Sequence, residues 1–136
     1  LSKFPNVWLI VHCNHVKEIS TDVLTGLQML QQIGVPILNQ TVLLKGVNDD
    51  AQTLVQLFQR LVEIRIYPYY LHHTDRVVGA EDFFVTLQDG WDVYQRVAKK
   101  VSGLALPIYI IDLPNGTGKV PVERVLSNPQ DYEGLF

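Results

Sequence analysis

The sequence has little cysteine, few clustered basic residues and no long apolar run. Cys13 is its one cysteine, which excludes a disulfide framework or a multi-cysteine metal site built from this sequence alone and fits a reducing cytoplasm. The net charge is −3, and no cluster of Lys and Arg occurs beyond Lys99-Lys100, so a nucleic-acid partner is not expected. No segment approaches the roughly 18 to 20 apolar residues of a membrane span, so a membrane partner is not expected either.

The rest of the composition is typical of one small globular domain. Of the 136 residues, 47% are hydrophobic and 18% charged, which is enough for one modest core. With nucleic acid and membrane set aside, the expected partner is a small molecule. The sequence begins at Leu1 and leads through a turn directly into a strand, so we expect a piece cut from a longer protein.

Apolar segments of strand length alternate with amphipathic segments of helix length. Strands are predicted at 7–11, 35–44, 67–71 and 106–111. Helices are predicted from about 22 to 33, from a cap at Asn48 or Asp49 to about 64, and from a cap at Thr86 to about 101. Gly34 is expected to end the first helix. This order predicts parallel βαβ units and therefore an α/β fold.

Two α/β architectures fit this order. Four parallel strands cannot close a barrel, but they can form the C-terminal part of a partial parallel (β/α) barrel, whose functional residues gather at the C-terminal ends of the strands. An independent flavodoxin-like sheet is the competing architecture.

Polar side chains follow or interrupt each predicted strand. They are His12-Cys-Asn-His15 after the first strand, Asn39-Gln40 within the second, 72–75 after the third and Asp112 after the fourth. Because the carboxyl ends of parallel strands meet at one edge of a sheet, we expect these four clusters to converge.

A glycine-bearing segment, Asp112-Leu-Pro-Asn-Gly-Thr-Gly-Lys-Val-Pro121, follows the last predicted strand. Lys119 near its end suits an amine nucleophile for a carbonyl cofactor. Local sequence alone is more typical of a solvated lysine in a surface turn, and the same holds for Asp112 as a turn or capping residue.

Three histidines, His12, His15 and His73, suggest a metal site, but no carboxylate set completes a coordination geometry. A solvent-facing or supporting role is therefore expected for His15 and His73. Cys13, at a strand end, is expected to be an inert, packed thiol.

Several blocks, taken in order, resemble the C-terminal half of the lysine 2,3-aminomutase family. The blocks are His12-Cys-Asn-His15, Asn39-Gln-Thr-Val-Leu-Leu-Lys-Gly-Val-Asn-Asp49, Tyr67-Pro-Tyr-Tyr70, Ser102-Gly103 and Asp112–Pro121. The resemblance implies a radical-SAM isomerase with a partial parallel α/β barrel that interconverts L-α-lysine and β-lysine. It also implies pyridoxal phosphate, S-adenosylmethionine and a 4Fe-4S cluster as cofactors. Residues 1–121 would belong to that core, and 122–136 would form an exposed C-terminal tail available to a neighbouring subunit.

The resemblance also implies roles for individual residues. Lys119 matches the lysine that holds pyridoxal phosphate as an internal aldimine. Asp75 and Asp112 match the two carboxylates that hold the distal ammonium of the substrate, and a glutamate-specific enzyme would not be expected to keep both. The residues that match contacts to S-adenosylmethionine are His12 and Gln40.

Some positions depart from the family pattern. Asn115 and Thr117 make the loop poorer in glycine. His72, near the expected cofactor, stands where tyrosine is frequent, which points to the branch that makes β-lysine for elongation factor P; that branch often lacks the second aspartate, so the subfamily stays open. The expected three-cysteine cluster loop would lie upstream, and the chain alone is predicted to be inactive. The alternative function is a non-catalytic α/β module or remnant that binds a small ligand.

Overall fold

The computed structural model describes residues 6–74, 81–113 and 118–133, and the element bounds below refer to these ranges. The strands are β1 (Leu9–His12), β2 (Ile37–Val42), β3 (Tyr67–His72), β4 (Ile108–Leu113) and β5 (Gly118–Pro121). The α-helices are α1 (Thr21–Gln32), α2 (Ala51–Glu63), α3 (Leu87–Ala98) and α4 (Val122–Ser127). Short 3-10 turns at Val16–Glu18, Glu81–Phe83, Gly103–Ala105 and Pro129–Tyr132 connect or follow them.

The five strands form one sheet in which spatial order equals chain order. The first four are parallel neighbours, and β5 pairs antiparallel with β4. This confirms the predicted α/β class and the three βαβ units. The flavodoxin-like alternative would place the first strand between the second and third, and the described strands do not have that order.

One face of the sheet packs on the helices, and the other face is open. Residues that alternate along the strands on the packed face, such as Leu71, Tyr109 and Ile111, belong to the hydrophobic core. The helices cover them with buried apolar side chains, namely Leu54, Leu57, Phe58 and Leu61 of α2, Val97 of α3, and Val122 and Val125 of α4. On the opposite face, Ile10 and Ile108 are 43% and 48% exposed. The open face is the side on which ligands can reach the strands.

The helix termini follow local chemistry. Ser20 and Thr86 cap α1 and α3 by accepting hydrogen bonds from the backbone N–H groups of Val23 and Asp89. Gly34, with a φ of +82°, ends α1 as predicted, because only glycine adopts this left-handed conformation freely.

The predicted cap of α2 is wrong. Asp50 is the cap, and its carboxylate accepts from the Thr53 N–H at 2.9 Å. Asn48 is fully buried instead, and Asp49 accepts from the Gly46 N–H. Asn48, Asp49 and Asp50 all have side chains that can cap a helix. Asp50 is the cap because the Asn48 side chain is buried and the Asp49 carboxylate already accepts from Gly46 N–H.

The expectation of an exposed tail after residue 121 is also wrong for its first part. Residues Val122 and Val125 of α4 are 0% and 4% exposed, and both belong to the core. The division into a core of 1–121 and a separate tail stays a prediction. Among the described residues, no helix is both long and apolar enough to cross a membrane.

Candidate functional site

Polar side chains of β1, β2 and β3 line up on the open face. In a sheet, paired residues of neighbouring strands and alternate residues of one strand share a face. His12 pairs with Gln40, and Gln40 pairs with Tyr70. His72 lies two residues beyond Tyr70, on the same face. The predicted strand-end pair His12 and Gln40 is thus adjacent, on neighbouring strands.

The line continues onto β4 and β5. His72 pairs with Ile110, and Asp112 lies two residues further along β4. Asp112 in turn pairs directly with Lys119 of β5. We call these six residues the polar row: His12, Gln40, Tyr70, His72, Asp112 and Lys119.

Lys119 lies in a strand and not in the predicted loop. The four residues of β5 pair with β4 from Ile110 to Leu113, and this pairing aims the Lys119 side chain along the open face. Gly118, at the start of β5, has a φ of +100°, a conformation that a residue with a side chain adopts only with strain. The lysine is thereby held by backbone pairing at a fixed place opposite Asp112.

Asp112 is the centre of a three-residue cluster. Lys119 Nζ donates to Asp112 Oδ1 at 2.7 Å, and His72 Nδ1 contacts Oδ2 at 3.2 Å. Asp112 and Lys119 have side chains 38% and 43% exposed, whereas that of His72 is 14% exposed. Both carboxylate oxygens therefore have a partner, one exposed cation and one largely buried imidazole.

The pKa values follow from these contacts. Burial alone would raise the pKa of Asp112, but the hydrogen bonds and charges of Lys119 and His72 outweigh it and lower the pKa. Burial lowers the pKa of His72 below its usual range, although Asp112 opposes this shift. At neutral pH the cluster therefore holds an ionised Asp112 and a neutral His72.

The tautomer of His72 follows from the same facts. An ionised carboxylate only accepts hydrogen bonds, so His72 Nδ1 must carry the proton and donate it to Asp112. In a neutral imidazole the other nitrogen, Nε2, then keeps a lone pair. That atom is buried and has no hydrogen-bond partner among the described residues. His72 thus presents an unused acceptor beside Asp112.

A pair of tyrosines that the sequence did not single out as site residues lies beside Gln40. The register shifts between Asn39 and Gln40, so that Tyr69 is an extra residue on β3. Such a bulge redirects neighbouring side chains. Tyr69 and Tyr70 lie with ring centroids 3.8 Å apart and hydroxyls 3.0 Å apart, and Tyr70 packs edge-on against His72 at 5.7 Å. Tyr70 thus packs directly against the imidazole of His72, and Tyr69 packs against Tyr70.

Two asparagines, the fully buried Asn48 and the half-buried Asn14, fix the loops after β1 and β2. The Asn48 side chain accepts from Leu44 N–H and donates to the Asn14 and Val42 carbonyls. Asn14 accepts from Val42 N–H at 2.8 Å. A buried side-chain amide destabilises the fold unless its N–H and C=O groups are hydrogen-bonded. This network therefore holds the segment that follows His12 in place. Both asparagines lie in the sequence blocks quoted above. Nothing in the local sequence indicates that their side chains join the two loops.

The other histidines and the cysteine have structural environments. The side chain of His15 caps the turn at Val16–Glu18, accepting from Lys17 N–H while Glu18 accepts from the His15 N–H. His73 is 4% exposed on the packed side, where its Nδ1 contacts Tyr109 Oη at 2.7 Å. Burial lowers the pKa of His73 to about 4 and raises that of the Cys13 thiol to about 11. The prediction that the Cys13 thiol is packed is confirmed, and its inertness stays a prediction.

Asp75, the second predicted carboxylate, lies outside the described residues, as do Asn115 and Thr117. Within the described ranges, no group of three or more His, Cys, Asp or Glu residues is arranged to hold a metal ion. The structure therefore brings together five of the six predicted site residues in one row, with Asp112, His72 and Lys119 in direct contact.

Curated proteins match this chain over nearly its whole length. No family model matches the chain. The chain is 38% identical to the L-lysine 2,3-aminomutase of Clostridium subterminale, over 100% of this chain and 35% of that protein. The L-lysine 2,3-aminomutase of Methanococcus maripaludis is also 38% identical, over 100% of this chain and 33% of its own length.

A relative with a different named substrate is similar to a comparable degree. The glutamate 2,3-aminomutase of Clostridioides difficile is 35% identical, over 97% of this chain and 32% of its own length. The chain thus spans about a third of the length of the curated relatives it matches. Identity at this level runs through almost the entire chain in relatives of both names, and the chain belongs to the lysine 2,3-aminomutase family.

Proposed function

We propose that this chain is part of an aminomutase that interconverts L-α-lysine and β-lysine, with pyridoxal phosphate, S-adenosylmethionine and a 4Fe-4S cluster as cofactors. The observation that carries the proposal is the contact of Lys119 with Asp112 on the open face, in line with His72, Gln40 and His12. A nucleophilic amine, a carboxylate and polar contacts for a second cofactor thereby share one surface.

The architecture we infer for the parent protein is a partial parallel barrel of the radical-SAM type. Parallel strands in chain order, with helices on one face only, support it, because a barrel keeps its helices outside and its other face inside. The polar row would then line the barrel interior.

The residues of the cluster suit pyridoxal phosphate. The cofactor supplies an aldehyde and a ring that delocalises charge or an unpaired electron next to the amino group. Lys119 is partly exposed and carries the primary amine that such an aldehyde requires. His72 Nε2, a buried acceptor with no hydrogen-bond partner in the part of the chain that the structure describes, suits a donor group on the bound molecule.

Asp112 is proposed to bind the distal ammonium of a lysine substrate, together with Asp75. Because its pKa is lowered, Asp112 is ionised at neutral pH and attracts a cation. An acidic side chain at the same place would meet like charge, so the carboxylate selects lysine over glutamate. We keep His12 and Gln40 as the proposed contacts to S-adenosylmethionine.

The physiological role stays a separate proposal. His72 at this position suggests a parent that makes β-lysine for elongation factor P, whereas two acidic residues suggest action on free lysine. A binding module without catalysis is not favoured, because relatives named as aminomutases match the whole chain.

The test of this function uses the full-length protein with pyridoxal phosphate added. Wild type is expected to give a visible absorption band that survives gel filtration, and Lys119→Met is expected to lose it. Lys100→Met is the matched control, since Lys100 is an exposed lysine at the end of α3. No band in the folded wild-type protein, or an unchanged band in Lys119→Met, would remove Lys119 as the cofactor lysine.

A second arm tests catalysis and the place of the cluster. Anaerobic turnover of L-lysine, with the cluster reconstituted, is expected from the full-length protein and not from residues 1–136 alone. Turnover by the 136-residue chain would contradict our placement of the cluster residues upstream.

A further inference from the structure

The carboxylate proposed for the substrate already holds an amine of the same kind. Lys119 Nζ donates to Asp112 Oδ1 at 2.7 Å, and the two residues are direct partners across β4 and β5. The group on Oδ1 is a primary ammonium on a four-carbon chain. The distal end of a lysine substrate is chemically the same group, so the two ammonium groups are alternatives for one position.

We propose that, in the cofactor-free protein, Lys119 acts as an internal competitor that occupies the site of the substrate's distal ammonium. Reaction of Lys119 with the cofactor's aldehyde would vacate that position, which favours binding of the cofactor before lysine. This inference rests on the function proposed for the same site and concerns its regulation.

The second oxygen of Asp112, Oδ2, already has a hydrogen-bond partner of its own. That partner is His72 on the neighbouring strand β3, whose Nδ1 lies 3.2 Å from Oδ2. The His72 side chain is only 14% exposed and lies edge-on to the ring of Tyr70. Moving this ring would break its contacts with Asp112 and Tyr70. Lys119 on Oδ1 is therefore the partner that an incoming ammonium displaces more readily.

Lys119 is the exchangeable partner. Its side chain is 43% exposed, and its long flexible stem starts from a four-residue strand at the end of the sheet. Ion pairs with this exposure are weak, because water screens the charges and the side chain loses rotamer freedom. The competitor is therefore strong enough to lower lysine affinity and weak enough to be displaced.

The covalent step that removes the competitor is balanced as follows. The ammonium of Lys119 gives one proton to solvent and becomes a neutral amine. Its nitrogen forms a C=N bond to the aldehyde carbon, and the aldehyde oxygen leaves as water. Asp112 Oδ1 then lacks its cation and keeps its negative charge, while His72 still holds Oδ2.

The experiment measures L-lysine binding to the full-length, cofactor-free protein by calorimetry or NMR titration. Lys119→Met keeps the length of the stem and removes the charge. It is expected to bind L-lysine about two- to fivefold more tightly than wild type, as the loss of a weak exposed ion pair predicts. Lys119→Arg keeps a cation beside Asp112 and is expected to show no gain. L-Norleucine, which lacks the distal ammonium, should bind all three proteins alike.

Two controls separate occupancy of Asp112 from a general change of charge. Lys100→Met removes an exposed lysine away from the cluster and should bind L-lysine as wild type does. Adding Asp112→Asn to Lys119→Met should abolish the gain. Equal lysine affinity in wild type and Lys119→Met, or a gain that persists without the Asp112 carboxylate, would overturn the proposal. If the cofactor band of the previous section forms but the affinity gain is absent, this inference alone fails; if the band is absent, the proposed function fails.

Discussion

Substitution of Gly90 by alanine tests how the packed side of the sheet holds β4 in place. Gly90 is buried in α3, and a Cβ added there would clash with Tyr109 Oη and lie 2.9 Å from a Leu43 methyl carbon. Tyr109 is 2% exposed and its hydroxyl contacts His73, so the ring cannot move without losing that hydrogen bond. We therefore expect Gly90→Ala to destabilise the chain.

The magnitude follows from three opposing contributions. Overpacking costs about 1–3 kcal/mol, and a broken buried hydrogen bond costs about 1 kcal/mol. Alanine recovers about 1 kcal/mol relative to glycine within a helix. The net expectation is a loss of about 2 kcal/mol in the free energy of unfolding, measured by urea denaturation monitored by circular dichroism with an unchanged m-value.

Two further variants separate the proposed clash from the other effects of an alanine in a helix. Gly26→Ala, in α1, introduces a Cβ with nothing within 4 Å and should stabilise the chain by about 1 kcal/mol. In the Tyr109→Phe background the clashing hydroxyl is gone, so Gly90→Ala should cost clearly less than it does in wild type. Equal stability of wild type and Gly90→Ala, or an undiminished cost in the Tyr109→Phe background, would refute the packing argument.

The remaining predictions concern the dependence of stability on pH through His73 and the positive φ of Arg65 at the end of α2. Because burial holds the pKa of His73 at about 4 against an ordinary 6.5, the unfolded chain binds a proton that the folded chain excludes. The stabilisation is complete above pH 6.5 and declines as the pH falls towards 4, by up to about 3 kcal/mol; a pH series of urea midpoints should be flatter in His73→Gln. Arg65 ends α2 with a φ of 60°, so Arg65→Gly should raise the unfolding free energy by about 0.5–1 kcal/mol. Thermal unfolding checks this, and a lower midpoint would contradict it. Gly34→Ala, at the equivalent position after α1, should have the opposite sign.

The regular elements could be predicted from the sequence because their signals are local. Apolar runs gave the four parallel strands, and spacings of three and four gave α1 to α3. β5 was missed, since a four-residue segment containing glycine and proline has no strand signal of its own and forms by pairing with β4. α4 was missed for a related reason, because six residues with two buried valines are too short for a periodic pattern.

The candidate site could be predicted only as a set of residue types. Lys119 and Asp112 are seven residues apart, and the sequence gives no register, so their direct pairing followed from the sheet alone. The bulge that turns Tyr69 towards Tyr70 likewise depends on how β2 and β3 align. Asn48 resembled a helix cap, although its buried amide joins two loops. Such features arise from tertiary pairing and satisfaction of buried polar groups, which local patterns do not encode.

Lys119 is the residue that we propose bonds to pyridoxal phosphate. The most direct measurement treats the full-length protein with pyridoxal phosphate, reduces it with borohydride, digests it, and locates the modified lysine by mass spectrometry. We predict a phosphopyridoxyl group on the peptide that contains Lys119, at near-stoichiometric yield and lost in Lys119→Met. Modification centred on another lysine, such as Lys45, or scattered over exposed lysines at low yield, would contradict the account.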